Sequence, residues 1–223
     1  MRYRYALFDL DGTLTDPSLG ITKSIQYALE RMGRHVPSRE ELYCFIGPPL
    51  VPAFCEYIGM TEAEAERAVE LYREYFSVTG LFENEPYSGI DDMLGELQSD
   101  GVVLAVATSK PELYAKRIVE HFGLARYFER ICGATLDSSR SKKGDVIAYT
   151  LEGLGITEEE RGSVIMIGDR HHDIEGAREN GIASMGVLWG FGDEAELIAA
   201  GADYIAAAPS DCIRHVGGVT PQT

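Results

Sequence analysis

The run Phe8-Asp9-Leu10-Asp11-Gly12-Thr13 places two acids one residue apart, directly after an apolar stretch that begins at Tyr5. Side chains alternate along a strand, so Asp9 and Asp11 face one way while Phe8 and Leu10 anchor the other. Two carboxylates at the end of a buried strand repel, and burying them unneutralised is costly. A hard divalent cation such as Mg2+ relieves this best, since it takes a few carboxylate oxygens and keeps water on its remaining positions. A second acidic strand end follows the apolar residues 164–167, in Gly168-Asp169-Arg170-His171-His172-Asp173. Asp173 also suits the N-cap of a helix carrying Ile174 and Ala177.

Two further runs suit an anion. Ala107-Thr108-Ser109-Lys110-Pro111 ends another apolar stretch with hydroxyls just before a proline-started helix. Hydroxyls and free helix-start N–H groups there suit a phosphate, although a plain N-cap explains the same pattern. Arg140-Ser141-Lys142-Lys143-Gly144-Asp145 is the densest basic cluster in the chain. At a rim holding several carboxylates, one lysine supplies the cation that a phosphoryl group needs.

These runs must be positioned by something, and the chain alternates accordingly. Strands are predicted over residues 5–10, 102–107, 131–134, 164–167, 184–188 and 204–206. Between them lie helical patterns: Ile90, Met93, Leu94 and Leu97; residues 113–122, entered at Pro111 and closed by Gly123; residues 146–151; and residues 193–200, with an Asp193…Glu196 capping pair and Gly201 beyond. Such alternation means parallel βαβ units and a sheet covered on both faces, a three-layer α/β core. Residues 16–86 break the pattern, with helices and no convincing strand. Ile21, Ile25, Ala28, Leu29 and Met32 form one apolar stripe. Ser38…Glu41 and Thr61…Glu64 read as capping boxes, the second opening a long helix. This is more chain than one crossover needs. The predicted division is a core of residues 1–15 plus 87–223 with an inserted all-helical cap domain of residues 16–86.

Asp9-Leu10-Asp11-Gly12-Thr13-Leu14, Thr108, the Lys142-Lys143 cluster and Gly168-Asp169…Asp173 resemble, in order and spacing, the four motifs of the haloacid dehalogenase superfamily. Within it the chain looks most like phosphoglycolate-phosphatase-type members with a helical cap. The resemblance implies a Rossmann-like core, Mg2+ as cofactor and a small phosphorylated metabolite as substrate. It implies Asp9 as the nucleophile that forms an aspartyl-phosphate and Asp11 as acid and then base. Thr108, Ser109 and a lysine are implied to hold the phosphoryl oxygens. Metal ligands are implied at Asp9, Asp11 (through its main-chain carbonyl), Asp169 and Asp173. Relatives often place Lys-Pro at the third motif; here Lys142 and Lys143 compete, and Lys143 is favoured as nearer the helix expected from Asp145. Ser109 stands where many relatives have Asn. Asp11 is the second acid that dehalogenating relatives lack, so phosphoryl transfer is implied. Substrate choice is expected around Phe45-Ile46-Gly47-Pro48-Pro49-Leu50, with Lys23 a weaker candidate than its reading as a solvated lysine.

Phosphoglycolate is the first substrate expected and a nucleoside 5′-monophosphate, as for a 5′-nucleotidase, the second. A sugar phosphomutase needs a cap group for a second phosphate, and no Arg stands in the cap loop. A phosphorylation-switch receiver usually has adjacent acids and no helical insert. Gly190-Phe191-Gly192-Asp193-Glu194-Ala195 formally matches a dinucleotide fingerprint, but Asp193 and Glu194 would face a pyrophosphate, so a helix cap explains it better.

The composition agrees. In 223 residues, 20 Lys+Arg against 36 Asp+Glu give a formal charge of −16, and hydrophobic residues make up 45%. That is an ordinary globular core, too acidic to expect nucleic acid or an anionic membrane as partner. No apolar run is long enough to span a bilayer, and the N-terminus does not read as a signal peptide. Cys44, Cys55, Cys132 and Cys212 show no metal spacing and read as buried thiols of a reducing cytoplasm. A cytoplasmic monomer or homodimer is expected.

Overall fold

The computed structural model describes residues 2–137 and 139–217. Its elements in chain order are β1 (Tyr5–Phe8), β2 (Thr15–Asp16), α1 (Ser18–Arg31), α2 (Leu50–Ile58), α3 (Glu62–Tyr75), β3 (Glu85–Pro86), α4 (Ile90–Ser99), β4 (Val103–Pro111), α5 (Glu112–His121), β5 (Phe128–Ala134), α6 (Lys143–Gly153), β6 (Val164–Gly168), α7 (His171–Glu179), β7 (Ala183–Val187), α8 (Glu194–Ala200), β8 (Tyr204–Ala206) and α9 (Pro209–Gly217). The chain divides into two compact units, residues 2–14 with 86–217 and residues Thr15–Glu85.

In the first unit six parallel strands run in the order β5-β4-β1-β6-β7-β8. All four residues of β1 are buried, and both its neighbours pair in register, Tyr5 with Val103 and Val164, Phe8 with Val106 and Ile167. Strand order reverses at β1 and β6, because the chain builds outward through β4 and β5 and then returns to the other side of β1. In open α/β sheets this switch point opens the crevice where ligands bind, outside the carboxyl ends of the strands. On one face Tyr5, Leu7, Ala105 and Met166 pack with Val146, Ile147 and Leu151 of α6 and Ala177 of α7. Right-handed crossovers put α4 and α5 on the other face. Ile90, Met93, Leu94 and Leu97 are buried, and α4 packs against β4 and α9. This is the expected three-layer parallel core.

Several boundaries differ from expectation. β1 stops at Phe8, two residues short, so Asp9 and Asp11 stand beyond the strand rather than on it. β4 runs on through Thr108 to Pro111, with a register break between Thr108 and Pro111 that bulges Ser109 and Lys110 out of the ladder. Helix α6 begins at Lys143 rather than Asp145.

The second unit holds α1, α2, α3 and a 3-10 turn at Glu40–Phe45. Its core includes Ile21, Ile25, Ala28, Leu29, Phe45, Phe54, Ala65, Ala68 and Tyr72. Thr61 caps α3 in a full capping box, as expected. Ser38 and Glu41 do bond reciprocally, but what they open is the 3-10 turn, not an α-helix. Helix α2 was not expected, since Pro48 and Pro49 suggest a stiff loop; the helix begins directly after them and also contains Pro52. Pro49 and Pro52 fall at the cap or in the first turn, where no intrahelical N–H is needed. A two-stranded ribbon of β2 and β3 stands where no strand was expected. Of the four free cysteines, Cys132 and Cys212 are buried as expected, Cys55 is half-buried, and Cys44 is exposed. No helix among the described residues is long and apolar enough to cross a membrane.

Candidate active site

The site is assembled at the switch point. Asp9 N donates to Ile167 O at 2.9 Å, extending the β1–β6 ladder by one residue before the chain turns. The turn closes through Leu14 N to Leu10 O, 2.9 Å, and Gly12 takes φ 83° within it. A side chain at Gly12 would be strained and would also collide with the Asp169 carboxylate. The Gly190-Phe191-Gly192 loop closes over the same acid: Phe191 N donates to Asp169 Oδ2 at 2.9 Å, and a Cβ at Gly190 would collide with Gly12 O. Those glycines, which resembled a dinucleotide fingerprint, admit the backbone to Asp169. Asp193 caps α8 as expected, accepting from Glu196 N at 2.8 Å.

Asp9, Asp169 and Asp173 each place one carboxylate oxygen within 4.8 Å of the others. Lys143, buried at the start of α6, reaches into this trio. Its Nζ lies 2.8 Å from Asp9 Oδ1 and 2.8 Å from Asp173 Oδ1, and it donates to Ala107 O at 3.1 Å. Of the two neighbouring lysines it is Lys143 that meets the acids, whereas Lys142 is the exposed N-cap of α6. Asp173 is the third residue of α7, where Oδ2 accepts from Arg170 N at 3.1 Å; it braces the helix start without being the N-cap.

Asp11 belongs to a different pair. Its carboxylate is outside the trio and meets the buried ammonium of Lys110. Lys110 is a residue that sequence reasoning missed. Its signal was a lysine between a strand end and a proline, but its burial depends on the β4 bulge. Thr108 is buried on β4, and its hydroxyl accepts from Lys110 N at 3.2 Å; Ser109 is half-buried in the bulge. Both stand at the strand end next to β1, while the direct ion pairs join the acids to the two lysines. Lys23 belongs elsewhere, paired with Glu83 at 2.5 Å in the helical unit.

Electrostatics follow from burial. Desolvation pushes the Asp169 carboxyl up to about 8, with Asp173 and Asp9 adding repulsion. Burial lifts Asp173 to about 6, opposed by Lys143. Burial also raises Asp11, and Lys110 draws it partly back. Burial alone would lower the Lys143 ammonium, but Asp173 and Asp9 outweigh it and raise it. Glu196 on α8, expected only as half of a capping pair, is the second residue whose place at the site was missed, with Oε1 taking His171 N at 2.9 Å and Arg170 Nε at 2.9 Å and lying 2.7 Å from His171 Nδ1. These bonds overcome its desolvation and hold it near 2. Nothing in the local sequence links Glu196 to His171.

The trio fits a divalent cation. Three acids face one lysine, leaving two formal negative charges crowded among carboxylate oxygens that lie within 4.8 Å of one another. All four acids and both lysines gather where the strand order reverses.

Residues 6–187 match the haloacid dehalogenase-like hydrolases, and the chain belongs to that family as a phosphomonoester hydrolase. It is 48% identical to a 5′-nucleotidase of Pseudomonas aeruginosa over 88% of each chain. It is 39% identical to a tyrosine-protein kinase of Mycobacterium tuberculosis, over 96% of this chain and 69% of that one. More distant matches include a phosphoglycolate phosphatase of Agrobacterium fabrum, 32% identical over 84% of this chain and 82% of that one. The crystal structure of a predicted phosphatase from Clostridium acetobutylicum superposes with a TM-score of 0.91 at 45% identity, covering 98% of this chain and all of the other.

Proposed function

We propose that the protein is a Mg2+-dependent phosphatase of small phosphorylated metabolites that works through an aspartyl-phosphate on Asp9. The observation that carries this reading is the division of three of the four site acids between two buried lysines. Lys143 serves Asp9 and Asp173, and Lys110 serves Asp11. An oxygen of Asp9 attacks phosphorus, and the bond from phosphorus to the leaving oxygen breaks as Asp11 gives that oxygen a proton. The raised Asp11 carboxyl suits this acid role. Asp11 then takes a proton from the attacking water, the bond between phosphorus and Asp9 breaks, and inorganic phosphate leaves. Lys143 and Thr108, with Ser109 beside it, are the groups proposed to hold phosphoryl oxygens. Asp9, Asp169, Asp173 and the Asp11 carbonyl would hold Mg2+, which supplies charge stabilisation to the phosphoryl group.

For the substrate, the 48% identity to a 5′-nucleotidase favours a nucleoside 5′-monophosphate ahead of phosphoglycolate, reversing the order that the motifs suggested. The helical residues 16–86 are proposed as a cap that chooses among leaving groups; a cytoplasmic location and a monomer or homodimer complete the reading. Phosphate release from 5′-monophosphates, phosphoglycolate and phosphotyrosine is the test. Mg2+-dependent turnover fastest on a 5′-monophosphate is expected. Undiminished turnover in excess chelator would end the metal reading, and preference for phosphoglycolate would restore the first substrate.

A further inference from the structure

We propose that the first turns of α7 carry a second cation site, built from His171, His172 and Glu175 and suited to a borderline transition metal such as Zn2+. One ring nitrogen of each histidine and one oxygen of Glu175 lie within 4.8 Å of one another. Glu175 stands four residues from His171 and three from His172, spacings that bring side chains together on one helix face. The two imidazole centroids are 3.8 Å apart.

An independent feature supports ligation. Glu196 Oε1 lies 2.7 Å from His171 Nδ1 and also accepts from the His171 backbone N–H at 2.9 Å. A carboxylate behind a histidine fixes its tautomer, keeps the proton on Nδ1, leaves the lone pair on Nε2 and makes the ring a better ligand. Glu196 also pairs with Arg170 Nε at 2.9 Å, which holds that carboxylate in place behind His171. The positive end of α7 opposes a metal there, and the Glu175 carboxylate among the ligands offsets it.

The donor set separates this site from the acidic trio. Two imidazoles and one carboxylate suit Zn2+, whereas Mg2+ takes oxygen ligands alone. Three protein ligands leave a fourth position for water or an anionic oxygen. The two sets interleave on one segment, Asp169 and Asp173 with the trio, His171, His172 and Glu175 with the second site, so a single strand–helix junction serves both.

The test uses the full chain without an affinity tag, in a Cys44→Ser background that removes the exposed thiol. Excess Mg2+ is present throughout to fill the acidic trio, and Zn2+ is titrated calorimetrically, with Co2+ absorption reporting nitrogen ligands. One saturable Zn2+ per chain is expected, and it should persist in Asp9→Asn. It should vanish in His172→Gln/Glu175→Gln, and weaken roughly 10–100-fold in Glu196→Gln, the usual effect of removing a partner behind a ligand. Circular dichroism confirms that each variant folds. No saturable Zn2+ under excess Mg2+, survival of binding in His172→Gln/Glu175→Gln, or its loss in Asp9→Asn would overturn the proposal. None of these outcomes bears on whether Mg2+ supports turnover, so the two readings fail separately.

Discussion

Asp169→Asn should stabilise the chelated protein at pH 8 while abolishing its response to Mg2+. Asp169 is buried against Asp9 and Asp173, and its carboxyl is raised from 3.8 to about 8. The folded state therefore binds this proton more tightly than the unfolded chain. The resulting stability is fully present below about pH 4 and is lost as pH rises through about 8. About four pKa units at about 1.4 kcal/mol each set a ceiling of about 6 kcal/mol of lost stability at alkaline pH. Asn carries no charge, and its amide oxygen still accepts from Phe191 N. Its NH2 falls where Oδ1 accepted from the Thr13 hydroxyl at 3.4 Å, and that mismatch costs about 1–3 kcal/mol. At pH 8 the balance is roughly 2–4 kcal/mol in favour of Asn, on the order of 10 °C in Tm for a chain of this size. At pH 5.5 much of the wild-type penalty is absent, and the two proteins should melt within a few degrees. Thermal unfolding in EDTA at both pH values measures this directly. Adding Mg2+ at pH 8 should raise the wild-type Tm by linkage and leave the variant nearly unmoved. A variant that melts below wild type at pH 8 in EDTA would refute the crowding argument.

Three further substitutions probe the proposed roles. Asp9→Asn should fold and lose about 10³-fold or more of turnover, the scale of removing a nucleophile; hydrolysis of p-nitrophenyl phosphate within tenfold of wild type would exclude Asp9 from that role. Lys143→Ala removes the ammonium shared by Asp9 and Asp173, so turnover should fall about 10²–10³-fold on every substrate alike. Kinetics across a phosphomonoester panel check this, and a substrate-selective loss would move Lys143 out of phosphoryl binding. Lys110→Met leaves Asp11 without its cation, and Lys110 holds the Asp11 carboxyl down. The kcat–pH profile on a 5′-monophosphate should therefore shift to higher pH, and an unshifted profile would show that Lys110 does not tune Asp11.

Much of the core was legible because its signals are local. The 5–8, 164–168 and 204–206 runs are apolar strands with acids or turns at their ends, and Ile90, Met93, Leu94 and Leu97 mark one buried helix face. What escaped depends on register and on contacts distant in sequence. Lys110 is buried because β4 bulges between Thr108 and Pro111 against β5, a pairing that no single segment encodes. Lys142 and Lys143 are indistinguishable as letters; only the start of α6 at Lys143 turns one inward. The prolines at the start of α2 concealed a helix because their penalty disappears in the first turn. Glu196 meets His171 across 25 residues, through the packing of α7 on α8.

Relatives of this chain bear names that point to different substrates. At the strand ends Lys143 spans Asp9 and Asp173, Gly12 and Gly190 leave room around Asp169, and Lys110 pairs with Asp11; in the proposed mechanism these groups meet the phosphoryl end of a substrate. None of them reads what lies beyond the leaving oxygen. A relative at 48% identity is named for nucleotides and another at 39% for tyrosine, so the names differ where these strand-end groups give no basis for choosing. On that reasoning, substitution of Leu50 at the start of α2 should change the ratio of kcat/KM between a 5′-monophosphate and phosphoglycolate while leaving p-nitrophenyl phosphate nearly untouched. Parallel kinetics with the three esters decide it. An equal loss on all three would mean that the helical residues serve the chemical step itself, and that discrimination has to be sought among the strand ends.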